Sequence, residues 1–201
     1  MLAVGECELE AFVLRARERD APSARGGAVQ PNCGIGWQTQ LGIAAGRTEA
    51  AGEATTALAL IGKRALRELT ATQTGFALAY SVVGARLPGQ GFKHDSTALA
   101  AVVSTPLDKE LVLHANLGWL RTQADRLNTT IWALALERTG LFERVDIGAE
   151  VYSDDRMPGA LFGIGARYAV MPETFLIDFS WARSSSGIRA TLATLGIRIS
   201  F

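Results

Sequence analysis

The sequence lacks any long hydrophobic run: 48% of its 201 residues are hydrophobic, yet no stretch reaches the 18 or so unbroken apolar residues a spanning helix needs. Helical membrane insertion is therefore excluded. It also lacks a charge of one sign, because 20 Lys+Arg balance 20 Asp+Glu, and nothing draws it to nucleic acid. Only two cysteines occur, with no CxxC, which argues against a redox motif or zinc knuckle and leaves one disulfide as the most they can form. The opening "MLAVGECELE" has no basic region followed by an apolar one, so two expectations stay open, a cytoplasmic protein or one whose export segment is absent from this sequence. No Pro/Ser-rich linker divides the sequence, and residues 1–201 are expected to form one domain.

What is present is alternation. In "ELVLHANLGWL", Leu111, Leu113, Ala115, Leu117 and Trp119 share one face, opposite Val112, His114, Asn116 and Gly118. "RVDIGAEVY", "LFGIGARYAV", "TFLIDFSWA" and "TLATLGIRISF" repeat the pattern. Short runs of this kind are expected over roughly 6–17, 27–37, 39–48, 54–65, 74–85, 95–105, 109–122, 128–138, 142–153, 159–170, 173–182 and 189–201. About twelve strands of about ten residues have the length that crosses a bilayer at a tilt.

The connections fall into two sets. Tight turns are expected at Gly36–Gln38, Thr105–Leu107, Thr139–Leu141 and Met171–Glu173, with Leu66–Gln73 somewhat longer. The other set is longer and more polar: "ERDAPSARGG", "TEAAGEA", "RLPGQGFKHD", "TQADRLN", "SDDRMPG" and "RSSSGI". Such two-sidedness belongs to an up-and-down antiparallel barrel with turns below and outer loops above. A soluble β-sandwich would show the same period of two. The aromatics separate the two readings. Trp119, Trp132, Phe162 and Trp181 fall near the loop ends of their strands, and Trp37, Phe142, Tyr168, Phe175 and Phe201 near the short-turn ends. Two belts around an aliphatic middle suit a membrane barrel, although Tyr80 and Phe179 sit nearer mid-strand.

The run "LGIRISF" resembles the C-terminal signal of bacterial outer-membrane barrels. The stretches "GECELEAF", "CGIGWQTQLGIA", "VLHANLGWLR", "TTIWALALE", "VDIGAEVY" and "FGIGARYAVMPETFLIDFSWA" resemble an outer-membrane family labelled "MetA-pathway of phenol degradation", grouped with uncharacterised transporter-like barrels. The resemblance implies an all-β transmembrane barrel of a Gram-negative outer membrane, with lipid and the barrel-assembly machinery as partners. It also implies a narrow passive channel for small, aromatic or hydrophobic solutes. No cofactor or metal is expected, and no enzyme activity.

Parity places Glu8, Glu10, Lys63, His114, Asn116, Glu137, Asp146, Glu150, Arg167, Asp178 and Arg198 inside the barrel. Charges of both signs in a narrow interior should pair. If the first and last strands close the barrel, Arg198 comes level with Glu8 and Glu10, and an ion pair is expected at the seam. The mixed signs suggest no obvious anion or cation preference, which favours a structural plug of salt bridges over a selectivity lining for these charges. If strands one and two form a hairpin around Asp20–Arg25, residues summing to about 40 face each other, which sets Cys7 level with Cys33 for a cross-strand disulfide, with two buried thiols as the alternative. Two alternatives stay open: a structural or surface-exposed barrel without transport, and a hydrolase using His114. No serine motif flanks that histidine, and His94 is assigned to a loop. "YSDDRMPG" is read as a turn, since Asp154 and Asp155 are too few oxygen donors for a calcium loop.

Overall fold

A computed structural model describes residues 1–19, 21–186 and 189–201. The expected loops at Asp20–Arg25 and "RSSSGI" include Asp20, Gly187 and Ile188, which lie outside the described residues. Twelve strands follow one another: β1 (Cys7–Arg17), β2 (Ala24–Gly36), β3 (Thr39–Ala50), β4 (Glu53–Arg67), β5 (Gly75–Arg86), β6 (Lys93–Pro106), β7 (Leu111–Thr122), β8 (Asn128–Leu141), β9 (Val145–Asp154), β10 (Leu161–Met171), β11 (Phe175–Ser184) and β12 (Thr191–Ser200). Each pairs antiparallel with its sequence neighbour, and β1 pairs with β12 to close the barrel. Closure leaves no strand edge unpaired, which a sheet in hydrocarbon requires.

The surface settles what surrounds this barrel. Among the described residues no large side chain is fully buried, while Ile43, Leu58, Leu117, Ile164, Phe179 and Leu195 stand exposed on the outside. A sandwich would bury those residues between its sheets. Here they form an outward apolar band that only lipid can cover. Tyr80 breaks the belt pattern for a packing reason. Its ring lies over Gly62 on β4, with Cζ where a Gly62 Cβ would collide with it. The aromatic fills the gap that the glycine leaves on the lipid face.

The connections are less two-sided than the sequence suggests. The "TEAAGEA" segment is not a loop, because β3 and β4 extend until only Ala51–Gly52 joins them, with φ of 53° and 82°. Two positive φ values in succession make the primed turn that matches strand twist. The seven-residue Glu68–Thr74 connection lies on the short-turn side and exceeds every described connection on the loop side in length. His94 lies within β6, not in a loop, and its Nε2 is 2.9 Å from Thr97 Oγ1. Asp154 Oδ1 caps the turn after β9 by accepting from the Arg156 and Met157 amides, each at 2.7 Å.

On the short-turn side, Trp37 and Phe142 occupy turns rather than strands, with φ of 48° and 52°, and are 87% and 83% exposed. A left-handed conformation costs a bulky residue on the order of 1 kcal/mol or more. Both rings project away from the barrel at that end. Tyr168, Phe175 and Phe201 stand at the same end, while Trp119, Trp132, Phe162 and Trp181 take outward positions toward the loop end.

Cys7 and Cys33 are paired across β1 and β2 and joined by a disulfide, with a Cα–Cα distance of 4.1 Å. The Cys7 amide and carbonyl bond to Phe201 on the opposite side, so Cys7 and Cys33 form a non-hydrogen-bonded pair, the closer of the two cross-strand geometries.

Candidate functional site

The barrel interior is the candidate site, and its wall is divided in two. From β3 to β7 the inward positions are mostly small: Gly42, Ala44, Gly46, Ala57, Ala59, Ala77, Ala79, Ala98, Ala100 and Gly118. From β8 round to β1 the inward positions carry Glu137, Asp146, Glu150, Arg167, Asp178, Arg198, Glu8 and Glu10. Alternation along the paired strands fixes this division, since shifting a strand by one residue would turn its set to lipid.

The charges are arranged in contacts along their own wall. Arg198 Nη2 lies 2.5 Å from Glu10 Oε1, and its Nε lies 3.7 Å from Glu8 Oε2, across the β1–β12 seam. Glu8 is only 8% exposed, and Gln40 Nε2 donates to it at 3.0 Å while Asn32 Nδ2 donates at 3.4 Å. Gly42 makes room for that Asn32, because a Cβ there would collide with Asn32 Oδ1. Arg167 Nε donates to Asp178 Oδ1 at 2.6 Å from the adjacent strand. Asp146 Oδ1 accepts from the Gly140 amide at 2.9 Å.

His114 stands where the two walls meet. Ser104 Oγ is 2.8 Å from its Nδ1, and Glu137 Oε2 is 3.3 Å from its Nε2. With the ring proton on Nε2, Nδ1 accepts from the Ser104 hydroxyl, while Nε2 faces the carboxylate without a hydrogen bond to it. Ser104 is the residue sequence reasoning missed. It lies ten positions away in sequence but directly opposite on β6. The β6–β7 hairpin register is the signal that finds it.

Two cavities occupy the lumen. One of about 350 Å³ is lined by Glu137, Asp146, Glu150, Arg167 and Asp178, and one of about 680 Å³ by Lys63, Arg67, Ser104 and Asn116. His114 and Ala135 line both, so the cavities meet at mid-barrel. The lower mouth is narrowed from two sides. Leu2 and Ala3 carbonyls lie against inward-facing Gly34, and the Leu69 backbone lies against inward-facing Gly75. At the upper mouth Arg156 Nη2 reaches Asp125 Oδ2 at 2.7 Å and its Nη1 donates to Thr129 at 3.2 Å, tying the β7–β8 and β9–β10 loops together. Hydrogen bonds from the Thr122 hydroxyl and the Leu127 amide, with Arg156 beside them, hold the Asp125 carboxyl well below the usual carboxylate range.

A closed twelve-stranded barrel with an outward apolar band, aromatic girdles and a polar interior is an outer-membrane β-barrel, and lipid is its surroundings. The chain belongs to the family described as Uncharacterised conserved protein UCP029691, whose model matches residues 1–201. That description carries no phenol-degradation label. No curated protein matches the chain by sequence. Among solved structures, the KdgM porin is similar with a TM-score of 0.67 at 8% identity, covering 96% of this chain and 99% of the porin. An outer-membrane channel from Pseudomonas putida reaches 0.68 at 10% identity, covering 100% of this chain and 97% of that one. Outer membrane phospholipase A from Escherichia coli reaches 0.57 at 7% identity, covering 94% and 89%. The shared property is the fold, that of Gram-negative outer-membrane barrels.

Proposed function

We propose that this barrel is a narrow passive channel for small solutes. The observation that carries the reading is the divided lumen. The ion pairs lie along one wall, and the Ala/Gly wall opposite leaves the bore unfilled. At inward strand positions Glu8, Glu10, Glu137, Asp146, Glu150 and Asp178 stand with Lys63, Arg167 and Arg198, and Arg67 and Glu68 line the lower cavity beside them. That excess of negative charge favours cations, in contrast to the absence of preference read from mixed signs. A solute with an aromatic or hydrophobic body and a cationic group fits both walls at once. The "MetA-pathway" resemblance is compatible with such a solute. The run "LGIRISF" is the segment we assign to recognition by the assembly machinery.

Planar-bilayer recording of refolded protein tests the reading. Discrete conductance steps with a cation-selective reversal potential in a salt gradient are expected. A folded barrel giving no steps would leave the structural, non-transporting alternative.

A second reading, a hydrolase inside the lumen, is favoured by one observation: the Ser104–His114–Glu137 sequence of contacts. Covalent labelling of Ser104 by a fluorophosphonate would support it. Labelling no faster than that of surface serines would remove it.

A further inference from the structure

The outside of the barrel is as unevenly built as the inside. Toward the loop end, outward aromatics stand on β7, β8, β10 and β11, as Trp119, Trp132, Phe162 and Trp181. On β12 and β1–β5 the described outward positions at that level carry no aromatic ring, and arginines stand there instead. Arg15 on β1 is directly opposite Arg25 on β2, and Arg47 on β3 is paired with Gly27, two residues further along β2. Arg47 and Arg86 flank Thr56, and Arg17 and Arg183 flank Thr191.

Two like charges directly opposed on one face of a sheet destabilise the pair unless an anion lies between them. One carboxylate is at hand: Glu49 Oε2 sits 3.1 Å from Arg25 Nη2. Arg15 and Arg47 have no carboxylate partner among the described residues. Arg25, Arg47 and Glu49 line an open hollow of about 510 Å³ on this surface. Directly below it runs a furrow of about 630 Å³, floored by Ala11, Gly27 and Ala45 and walled by Val13, Val29 and Leu195. Arg47 borders both. The furrow exists because Gly27 and the alanines withdraw side chains between taller neighbours.

We propose that this arginine-capped furrow binds a phosphorylated, acylated glycolipid of the outer leaflet. Phosphate groups lie between Arg15, Arg25 and Arg47, and one acyl chain lies in the furrow beneath. The charge complementarity selects the occupant. Guanidinium forks match phosphate oxygens, and the loop end of the barrel faces the leaflet in which such lipids reside. A zwitterionic phospholipid leaves the cations uncompensated. The inference rests on membrane placement alone and is independent of the channel reading.

The test is native mass spectrometry of the detergent-refolded barrel with bisphosphorylated lipid A, dephosphorylated lipid A and phosphatidylglycerol. An adduct with bisphosphorylated lipid A is expected, reduced about tenfold in an Arg15→Gln/Arg25→Gln/Arg47→Gln variant, the loss of roughly one strong phosphate contact. Ala45→Leu, which fills the furrow and keeps every arginine, should weaken the same adduct. Heat-modifiable migration on gels establishes that each variant is folded before it is scored. Unchanged binding in either folded variant, or equal binding by phosphatidylglycerol or dephosphorylated lipid A, would overturn the proposal.

Discussion

The two walls of the lumen solve different problems with the same strand geometry. From β8 to β1 the chain spends its inward positions on charge and must pair it, because a carboxylate with no partner in a narrow interior is costly. From β3 to β7 it places Ala and Gly there and leaves space. A barrel lined by charge on both sides would close itself with salt bridges. One lined by Ala and Gly alone would carry little to discriminate between solutes. The difference teaches that bore and selectivity come from opposite sides of one barrel.

The largest effect should come from filling the small wall. Ala100→Trp places a large ring against the bore, and conductance in planar bilayers is expected to vanish while heat-modifiable migration persists. Persistent wild-type conductance would mean the solute path does not follow that wall. Next comes the junction between the walls, where β1 meets β2. Cys7→Ser/Cys33→Ser opens a cross-link between residues 26 apart in sequence, and urea unfolding should show a loss of roughly 3 kcal/mol in the chain-entropy picture.

On the charged wall, Arg198→Met leaves Glu8 and Glu10 without their cation. A loss of about 2 kcal/mol is expected, below the range for fully buried pairs because water reaches the lumen. Adding Glu8→Gln and Glu10→Gln should recover most of it, and no recovery would show that Arg198 acts through packing instead. A subtler change follows from Glu150→Gln, which removes one of the excess carboxylates. The reversal potential should move toward zero with little change in conductance.

The smallest effect concerns the upper mouth. The Asp125 carboxyl titrates lower in the folded protein than in an unfolded chain, so its contribution is complete above the ordinary carboxylate value of about 3.9. It is lost as pH falls from there through the folded value. Hydrogen-exchange protection of Gln123–Leu127 should therefore hold from neutrality to about pH 4 and fall only in stronger acid. Loss of protection already at pH 6 would point to another group.

Much of this was legible because a strand's side chains alternate, and alternation is local. Leu195, Ile197 and Ile199 declare an outward face from their own spacing, and Asp178 and Arg198 an inward one. The Cys7–Cys33 facing and the level of Arg198 with Glu8 and Glu10 needed only one hairpin register and the assumption of closure. Ser104 beside His114 escaped because the turn after β6 had to be placed to the residue before the two could be aligned. The Ala51–Gly52 turn was misread for a different reason. Small and polar residues such as "TEAAGEA" suit a loop by composition, but the neighbouring strands supplied ladder partners that extended them.

By itself, then, the sequence determined the class of fold, the two faces of each strand and the levels at which the aromatics stand. Those follow from a period of two and from the affinity of aromatic rings for an interface. Only the tertiary structure decided that the charges share one wall and that His114 joins two cavities. Each of those depends on how twelve registers add around a closed ring, a long-range quantity that no single strand encodes.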